Sequence, residues 1–176
     1  MNHVLLSISG HDRPGIVRDV AEALLTVRAN IEDSSMTALR GRFAMMLIVS
    51  LPESVKLGEL KAALAELEQR TGLVIQSQSI SEEEARHEPP EPDHVVTVSG
   101  ADQPGIVHAV TEALADLGIS IVDMSTRLGE GDEPAYMMAL EVAAGQAANA
   151  MRERLREVSR HIQVDVEVHP LESSIL

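Results

Sequence analysis

The hydrophobic residues of the first eighty positions follow two different periods. In residues 3–9 they alternate with polar residues, which is typical of a half-buried strand. In residues 14–27 they recur every three or four positions, which predicts an amphipathic helix. The expected inward-facing residues are Val4, Leu6 and Ile8 of the strand and Ile16, Val17, Val20, Ala23, Leu24 and Val27 of the helix.

The rest of this region predicts two more strands, a second helix and a last strand. The strands of residues 30–39 and 43–51 are joined by a turn at Arg40-Gly41, and a helix at residues 55–71 precedes a strand at residues 72–80. The resulting order is β-α-β-β-α-β. It predicts an α+β domain of the ferredoxin-like kind, with a four-stranded antiparallel sheet and both helices on one face.

The sequence GHDRPGIV, residues 10–17, returns ninety residues later as GADQPGIV, residues 100–107. The match extends in both directions and needs only a three-residue insertion near GEGDEP. A match of this length is typical of an internal duplication. The second copy predicts strands at residues 95–99, 120–128, 135–142 and 162–168, and helices at residues 104–117 and 146–159.

The domain organisation follows from this duplication. The segment SEEEARHEPPEPD has three prolines and six acidic residues in thirteen positions, so it cannot build a core and is interpreted as a solvated tether. A docking segment for a partner is the alternative. The expected organisation is residues 1–80 as the first domain, residues 81–93 as the linker, residues 94–170 as the second domain and residues 171–176 as a tail.

Composition narrows the class of protein. The 176 residues are 44% hydrophobic, which is enough for packed cores, and they include one Phe, one Tyr and no Cys. The absence of cysteine excludes disulfides, thiolate zinc sites and cysteine nucleophiles. The N-terminal residues do not resemble a signal peptide, and no run approaches the ~20 apolar residues of a membrane span. We therefore expect a soluble cytoplasmic protein that does not act at a membrane.

The charge argues against one class of partner. The net charge is −14, and no basic stripe interrupts the acidic surface. Such a surface repels phosphate backbones, so we expect no direct binding to nucleic acid. Any effect on transcription would then pass through another protein.

The repeated turn has chemistry of its own. Gly10 would let the chain leave the strand, Asp12 would cap the helix, and Pro14 would occupy its first position. Gly15 leaves the helix entrance open, where free N–H groups and the helix dipole favour an anion such as an amino-acid carboxylate. The same residues are also simply a good way to start a helix, and that structural interpretation stays open.

The stretches SGHDRPGIVRDVAEALLTVRANIEDSSM and SGADQPGIVHAVTEALADLGISIVDMST each resemble an ACT domain. The resemblance covers nearly the whole chain except the linker and the tail. It implies a regulatory module that binds amino acids at interfaces between paired domains. A free-standing tandem pair most resembles the glycine cleavage system transcriptional repressor group, whose members are thought to act on a DNA-binding activator protein in response to glycine.

The resemblance also implies ligand-binding positions, in the turn after the first strand, the start of the first helix and the start of the second strand. The family's Gly-x-Asn-Ile run is incomplete in both copies, because Arg28 replaces its glycine in the first and Ser120 replaces its asparagine in the second. Arg28 would need a left-handed backbone, and Ser120 removes an amide, so the first copy is favoured as the ligand site. The implied residues are Asp12, Arg13, Pro14, Gly15, Ile16, Asn30 and Ile31, and Asp102, Gln103, Pro104, Gly105, Ile106, Ser120 and Ile121.

No other group of residues in the sequence has the spacing of a metal site or a catalytic site. The seven histidines lack the i, i+4 spacing of a helical metal site. Ser9, His11 and Asp12 surround one turn and do not form a catalytic triad. We expect no catalytic residue, metal or cofactor.

The leading hypothesis is therefore a non-enzymatic, amino-acid-responsive regulator that acts through a protein partner. Exposed sheet edges make a homo-oligomer plausible. One alternative is a detached regulatory subunit of an enzyme, such as a formyltetrahydrofolate deformylase or an amino-acid biosynthetic enzyme. A second is a purely structural interaction module without a ligand.

Overall fold

In the computed structural model, which describes residues 2–129 and 134–171, the chain divides into two units, residues 1–87 and 88–176. The first unit has the predicted order of elements, followed by one short helix. Its elements are β1 (Asn2–His11), α1 (Ile16–Thr26), β2 (Asn30–Leu39), β3 (Arg42–Leu51), α2 (Leu57–Thr71), β4 (Val74–Ile80) and α3 (Glu82–Ala85).

The second unit repeats the order strand, helix, two strands, helix and strand. A single turn of 3₁₀ helix, Gly145–Ala147, precedes its second α-helix. Its other elements are β5 (His94–Ala101), α4 (Ile106–Ala115), β6 (Ser120–Leu128), β7 (Ala135–Ala143), α5 (Ala148–Ile162) and β8 (Asp165–Pro170).

Each unit contains one four-stranded antiparallel sheet. The strand orders are β2-β3-β1-β4 and β6-β7-β5-β8, so the first strand of each unit lies at the centre and the second at an edge. The predicted pair of ferredoxin-like α+β domains is confirmed. In both units the edge strand, β2 or β6, is exposed along its whole length.

The cores follow the predicted periodicity. In β1, Val4, Leu6 and Ile8 are buried, as are their second-unit counterparts Val96 and Val98 in β5. Apolar side chains of α1 and α4 belong to the same two cores as these central strands. The single Phe of the chain, Phe43, is buried in the first core, and the single Tyr, Tyr136, packs against the second. Each sheet therefore has its own core between it and its helices.

The prediction for Val17 is wrong, because this residue is 44% exposed. The buried face of α1 is centred on Val20, which places Val17 at the margin of that face. Leu25 of α1 is exposed as well.

Several element boundaries differ from the predictions. Helix α1 begins at Ile16 instead of Pro14, because Gly15 takes φ 90° immediately before it. At the other end of the chain, α5 continues to Ile162, and Gln163 then takes a left-handed backbone before β8 begins at Asp165.

The acidic linker, residues 81–93, contains a short helix that the sequence pattern does not predict. Ser81 and Glu84 form a reciprocal capping box at α3, with Ser81 N–H donating to Glu84 Oε2 at 2.8 Å and Glu84 N–H donating to Ser81 Oγ at 3.1 Å. At the end of the segment, the Asp93 carboxylate accepts hydrogen bonds from the N–H groups of Ala144 and Gly145. The start of the segment is therefore ordered by its own capping box, whereas its end is bonded to the second unit.

Two sequence interpretations fall on residues outside the described ranges. These are the insertion near GEGDEP, of which residues 130–133 are not described, and the tail, of which only Leu171 is described. Within the described ranges, no helix is long and apolar enough to cross a membrane.

Candidate functional site

The repeated turn has the same backbone form in both units. Gly15 and Gly105 are the N-caps of α1 and α4 and take φ values of 90° and 100°. Their carbonyl oxygens accept the first helical hydrogen bonds, from the N–H groups of Asp19 at 3.0 Å and Ala109 at 2.9 Å. Within the described residues, no side chain caps either helix, so both turns offer helix N–H groups to a ligand.

Three details of the turn correct the sequence interpretation. Asp12 does not cap α1; its backbone N–H donates to Gly41 O at 2.9 Å and so joins the turn to the β2–β3 turn. Pro14 precedes the N-cap and is not the first helical residue. A Cβ at Gly10 would lie 2.6 Å from Leu73 Cδ2, so a larger residue there would require the Leu73 side chain to move.

The predicted site residues divide by exposure. The side chains of Ile16 and Ile106 are only 2% exposed and belong to the two cores, so these residues can offer only backbone groups to a ligand. The turn residues in front of them face solvent. The exposed or partly exposed members of the set are Asp12, Arg13, Pro14, Gly15, Asn30, Ile31, Asp102, Gln103, Pro104, Gly105, Ser120 and Ile121.

A buried carboxylate that the sequence interpretation missed lies behind the first turn. Asp19 is 6% exposed and accepts hydrogen bonds from Arg18 Nη2 at 2.8 Å and Arg13 Nη2 at 2.7 Å. These bonds, that from Arg18 first, lower the pKa of the Asp19 carboxyl. The signal in the sequence is an aspartate on the otherwise apolar face of a predicted helix.

The turn of the second unit is built differently. Gln103 Nε2 donates to Ile162 O at 2.6 Å, which ties the turn to the end of α5. Burial, and secondarily the charge of Asp102, raise the pKa of the Tyr136 phenol. A solvent-open depression lies beside this turn, lined by Gly100, Ala101, Asp102, Pro134 and Ala135.

The two parts of the implied site lie at opposite ends of each sheet. In the first unit, Asn30 pairs with Ser50, which pairs with His3 at the start of β1, whereas the turn follows His11 at the end of β1. Eight residues of strand separate these ends by about 26 Å. The second unit has the same register, so neither unit brings its two parts together by itself.

The backbone prediction for Arg28 is confirmed. It takes φ 54° after α1, where its counterpart Gly118 takes φ 68° after α4. In both units the next residue closes the helix end, since Ala29 N–H donates to Leu24 O and Ile119 N–H donates to Leu114 O, each at 3.0 Å. The geometry of this junction is thus retained although the glycine is not.

The histidines do not assemble a site within the described residues. His11, the last residue of β1, has its Nε2 3.2 Å from Arg42 Nη1. Across residues 2–129 and 134–171, no group of three or more His, Cys, Asp and Glu side chains is arranged to hold a metal ion.

The sequence comparisons identify related proteins. Family models described as ACT domain match residues 2–78 and residues 94–160. A UPF0237 protein of Methanopyrus kandleri is 39% identical over 74 residues, which are 42% of this chain and 82% of that protein. A UPF0237 protein of Corynebacterium diphtheriae is 33% identical over 76 residues, which are 43% of this chain and 85% of that protein.

Two crystal structures resemble the whole chain. A protein from Galdieria sulphuraria is 29% identical, with a TM-score of 0.77 and coverage of 97% of this chain and 98% of that one. The second, provisionally assigned as a glycine cleavage system transcriptional repressor, is 19% identical, with a TM-score of 0.73 and coverage of 97% of both chains. At that identity the second likeness shows the fold alone.

Proposed function

We propose, from the premise that this chain belongs to the ACT-domain family and carries two ACT domains in tandem, that it is an amino-acid-responsive regulator acting through a protein partner. ACT domains are regulatory in kind. The ligand would be a small amino acid, and glycine is the first candidate because the chain resembles glycine cleavage system repressors in its tandem organisation. The partner would be a DNA-binding activator protein.

The observation that carries this proposal is the pair of open turns. In both units a glycine with positive φ begins a helix without a side-chain cap in the described residues, so backbone N–H groups remain for a carboxylate. Asp12 and Asp102 are exposed in these turns and are candidates for contacting the ammonium group. The two turns thus offer complementary groups to both ends of an amino acid.

The second part of the ligand site would come from a paired ACT domain. Asn30 and Ser120 lie at the opposite sheet end from the turns of their own units. When two such domains associate about a two-fold axis perpendicular to the strands, the start of β2 in one approaches the turn of the other. Binding at that junction would favour the paired state, which gives the ligand a means to shift an equilibrium. The exposed edge strands support self-association of the chain.

The negative net charge of the chain supports an effect on transcription through a protein partner instead of through DNA binding. The net charge of −14 disfavours binding to a phosphate backbone. A regulator of this kind would instead change its affinity for a DNA-binding protein when its amino acid is bound.

The direct test is calorimetric titration of the full chain with each of the twenty amino acids. We expect glycine, or another small amino acid, to bind with a dissociation constant below about 1 mM, which corresponds to roughly −4 kcal/mol. Absence of binding by all twenty would overturn the sensing role and favour a structural interaction module.

The partner is tested by affinity capture from the native host with and without the amino acid that binds. We expect a DNA-binding protein whose retention changes with the amino acid. Retention that ignores the amino acid contradicts the proposed regulation. Capture of an enzyme of one-carbon or amino-acid metabolism would instead favour a detached regulatory subunit.

A further inference from the structure

An open groove lies between α5 and β8 in the second unit. Its lining residues come from both elements and are Arg152, Arg156, Val166, Glu167, Val168 and His169. Strand β8 is at an edge of its sheet, so one side of its backbone has no strand partner within the described residues. The groove therefore combines two cationic side chains with the free backbone groups of an edge strand.

Arg152 and Arg156 are separated by one turn of α5. No ion pair of the described residues includes either of them, whereas Arg154, on another side of the helix, pairs with Glu157 at 3.0 Å and Asp116 at 3.9 Å. Two like charges four residues apart destabilise a helix. Because no ion pair in the described part of the unit offsets this repulsion, an anionic partner bound at both guanidinium groups would relieve it.

Neither the fold nor the end of the helix explains this arginine pair. Helix α2 of the first unit has the same spacing of buried residues as α5, and Lys61 and Ala65 stand there at the positions of Arg152 and Arg156. An arginine in the last turn of a helix, such as Arg160, complements the helix dipole, but Arg152 and Arg156 precede that turn. The pair is thus specific to the second unit.

The β8 side of the groove has two layers. Val166 and Val168 pack against the second core, on the same side of the sheet as α5, and Glu167 and His169 alternate with them. The carboxylate of Glu167 lies 3.1 Å from His169 Nε2, so its charge has a partner on its own strand. A segment lying beside β8 would therefore meet the two arginines on one side and this Glu-His pair on the other.

We propose that the groove binds an acidic, extended segment of a protein partner. Residues one turn apart on a helix are separated by about 6 Å along its axis, and alternate residues of a strand by about 6.6 Å. Carboxylates at every second position of an extended segment can therefore each meet one arginine, while the backbone of the segment bonds to the free edge of β8. This docking concerns the protein partner of the proposed function but requires no amino acid, so it is tested separately from the sensing role.

A phosphate backbone is the other polyanion that an arginine pair attracts. The net charge of −14 disfavours it, and two arginines at one sheet edge do not form the basic stripe of a nucleic-acid-binding surface. A protein segment is favoured because it also uses the backbone groups of β8, which a nucleic acid does not extend as a strand.

The first test is fluorescence anisotropy of the full chain with two labelled peptides of about ten residues and identical composition. In one peptide glutamate alternates with threonine, and in the other all glutamates are contiguous. At about 0.05 M NaCl we expect the alternating peptide to bind with a dissociation constant below about 1 mM, and about fivefold more tightly than the contiguous one. Absence of binding by the alternating peptide, or equal binding of both, would overturn the proposal.

Charge reversal in the groove identifies the contact. The double variant Arg152→Glu with Arg156→Glu should weaken binding of the alternating peptide by about tenfold or more. The single variant Arg156→Glu places a carboxylate four residues from both Arg152 and Arg160, which favours the helix, so its fold should be retained. Weaker binding by this single variant therefore separates loss of the groove from loss of the fold.

The matched control is Arg42→Glu with Lys61→Glu, at two exposed positions of the first unit, which changes the net charge as much as the double variant does. It should leave the dissociation constant of the alternating peptide within about twofold. Equal weakening by this control would show that overall charge explains the binding and would contradict docking in the groove. Circular dichroism of every variant establishes that its fold is retained.

Two other occupants of the groove have outcomes of their own. A dimer of the chain in sedimentation velocity that is lost in the double variant would assign the groove to a second copy. A labelled DNA duplex of about 20 base pairs that binds more tightly than the alternating peptide, and is released by the double variant, would assign it to a phosphate backbone. Either result would overturn the docking of an acidic partner segment.

Discussion

Arg13 Nη2 lies 2.7 Å from Asp19 Oδ2, behind the turn that begins α1. In the second unit the same positions hold Gln103 and Ala109, and Gln103 bonds to the end of α5 instead. The backbone of the turn has therefore been retained through duplication, whereas the side chains that support it have changed. The two turns are held by different partners, so a substitution can weaken one without affecting the other.

The substitution Asp19→Asn tests the support of the first turn. It removes the negative charge that both Arg13 and Arg18 contact, so we expect the melting temperature of the first unit to fall at neutral pH. Glu66→Gln on the exposed side of α2 is a suitable control and should leave the melting temperature nearly unchanged. Equal melting temperatures for Asp19→Asn and the natural chain would contradict a stabilising role.

The difference in melting temperature between the natural chain and Asp19→Asn should depend on pH. The pKa of the Asp19 carboxyl is lowered in the folded state, first by the hydrogen bond from Arg18. Its contribution is present above the unfolded pKa of about 3.9 and is lost as pH falls through the folded pKa. The gap in melting temperature between the natural chain and Asp19→Asn should therefore narrow below about pH 4. A gap that is independent of pH would assign the effect to packing.

Substitution of the N-cap glycines tests which turn binds ligand. Valine at position 15 would block the helix entrance, but φ 90° strains any β-branched residue and would disturb the fold as well. Asparagine tolerates positive φ better, so Gly15→Asn should cost about 1 kcal/mol of stability and still place a side chain at the helix entrance. Calorimetric titration of this variant should show loss of the first-unit site.

The matched variant is Gly105→Asn, at a position with φ 100° where an added Cβ would meet no heavy atom within 4 Å. If only Gly105→Asn loses affinity, the ligand binds at the second turn, beside Asp102. Unchanged affinity in both variants would move the site away from the turns.

The fold could be predicted because two local signals agree along the chain. Alternation in β1 and the three-to-four-residue period in α1 assign Val4 and Val20 to the core, and both are buried. Val17 was assigned incorrectly because the period identifies a stripe but not its width. Helix α3 was missed because a capping box needs only Ser81 and Glu84, and composition conceals it among prolines and acidic residues.

Less of the candidate site than of the fold could be predicted from the sequence. The open turn could be predicted because Gly15 and Gly105 are local signals. The separation of Asn30 from its own turn could not, because it depends on the strand order, which places β2 at an edge and sets its register against β3. The ion pair of Arg13 with Asp19 likewise joins two side chains that meet only after the turn has formed.

Arg28 and Gly118 provide a reciprocal test of backbone strain. Arg28 holds φ 54° where glycine would be unstrained, so Arg28→Gly should raise the free energy of unfolding of the first unit by about 0.5–1 kcal/mol. Gly118→Arg should lower that of the second unit by about 1 kcal/mol. Chemical denaturation monitored by circular dichroism measures both. Destabilisation by Arg28→Gly would show that the arginine side chain makes a contribution that outweighs the strain.

The last prediction concerns Asp93, the residue with which the linker of residues 81–93 is bonded to the second unit. The Asp93 carboxylate accepts hydrogen bonds from the N–H groups of Ala144 at 2.8 Å and Gly145 at 2.6 Å. Its Oδ1 also lies 2.8 Å from His94 Nδ1. Asp93→Ala leaves both N–H groups without this acceptor. Because the Asp93 side chain is 39% exposed, water replaces part of the loss, and we expect the free energy of unfolding to fall by about 1 kcal/mol.

Acid should abolish this contribution of Asp93. Burial alone would raise the pKa of its carboxyl, but the hydrogen bonds from His94, Ala144 and Gly145 outweigh burial and lower the pKa to about 2. A lowered pKa gives stability that is present above the unfolded value of about 3.9 and disappears as pH falls towards about 2. Calorimetric melting of the natural chain and Asp93→Ala should differ at pH 7 and converge in that interval. Convergence at a higher pH would assign the stabilisation to another group, because a carboxylate with this pKa remains ionised there.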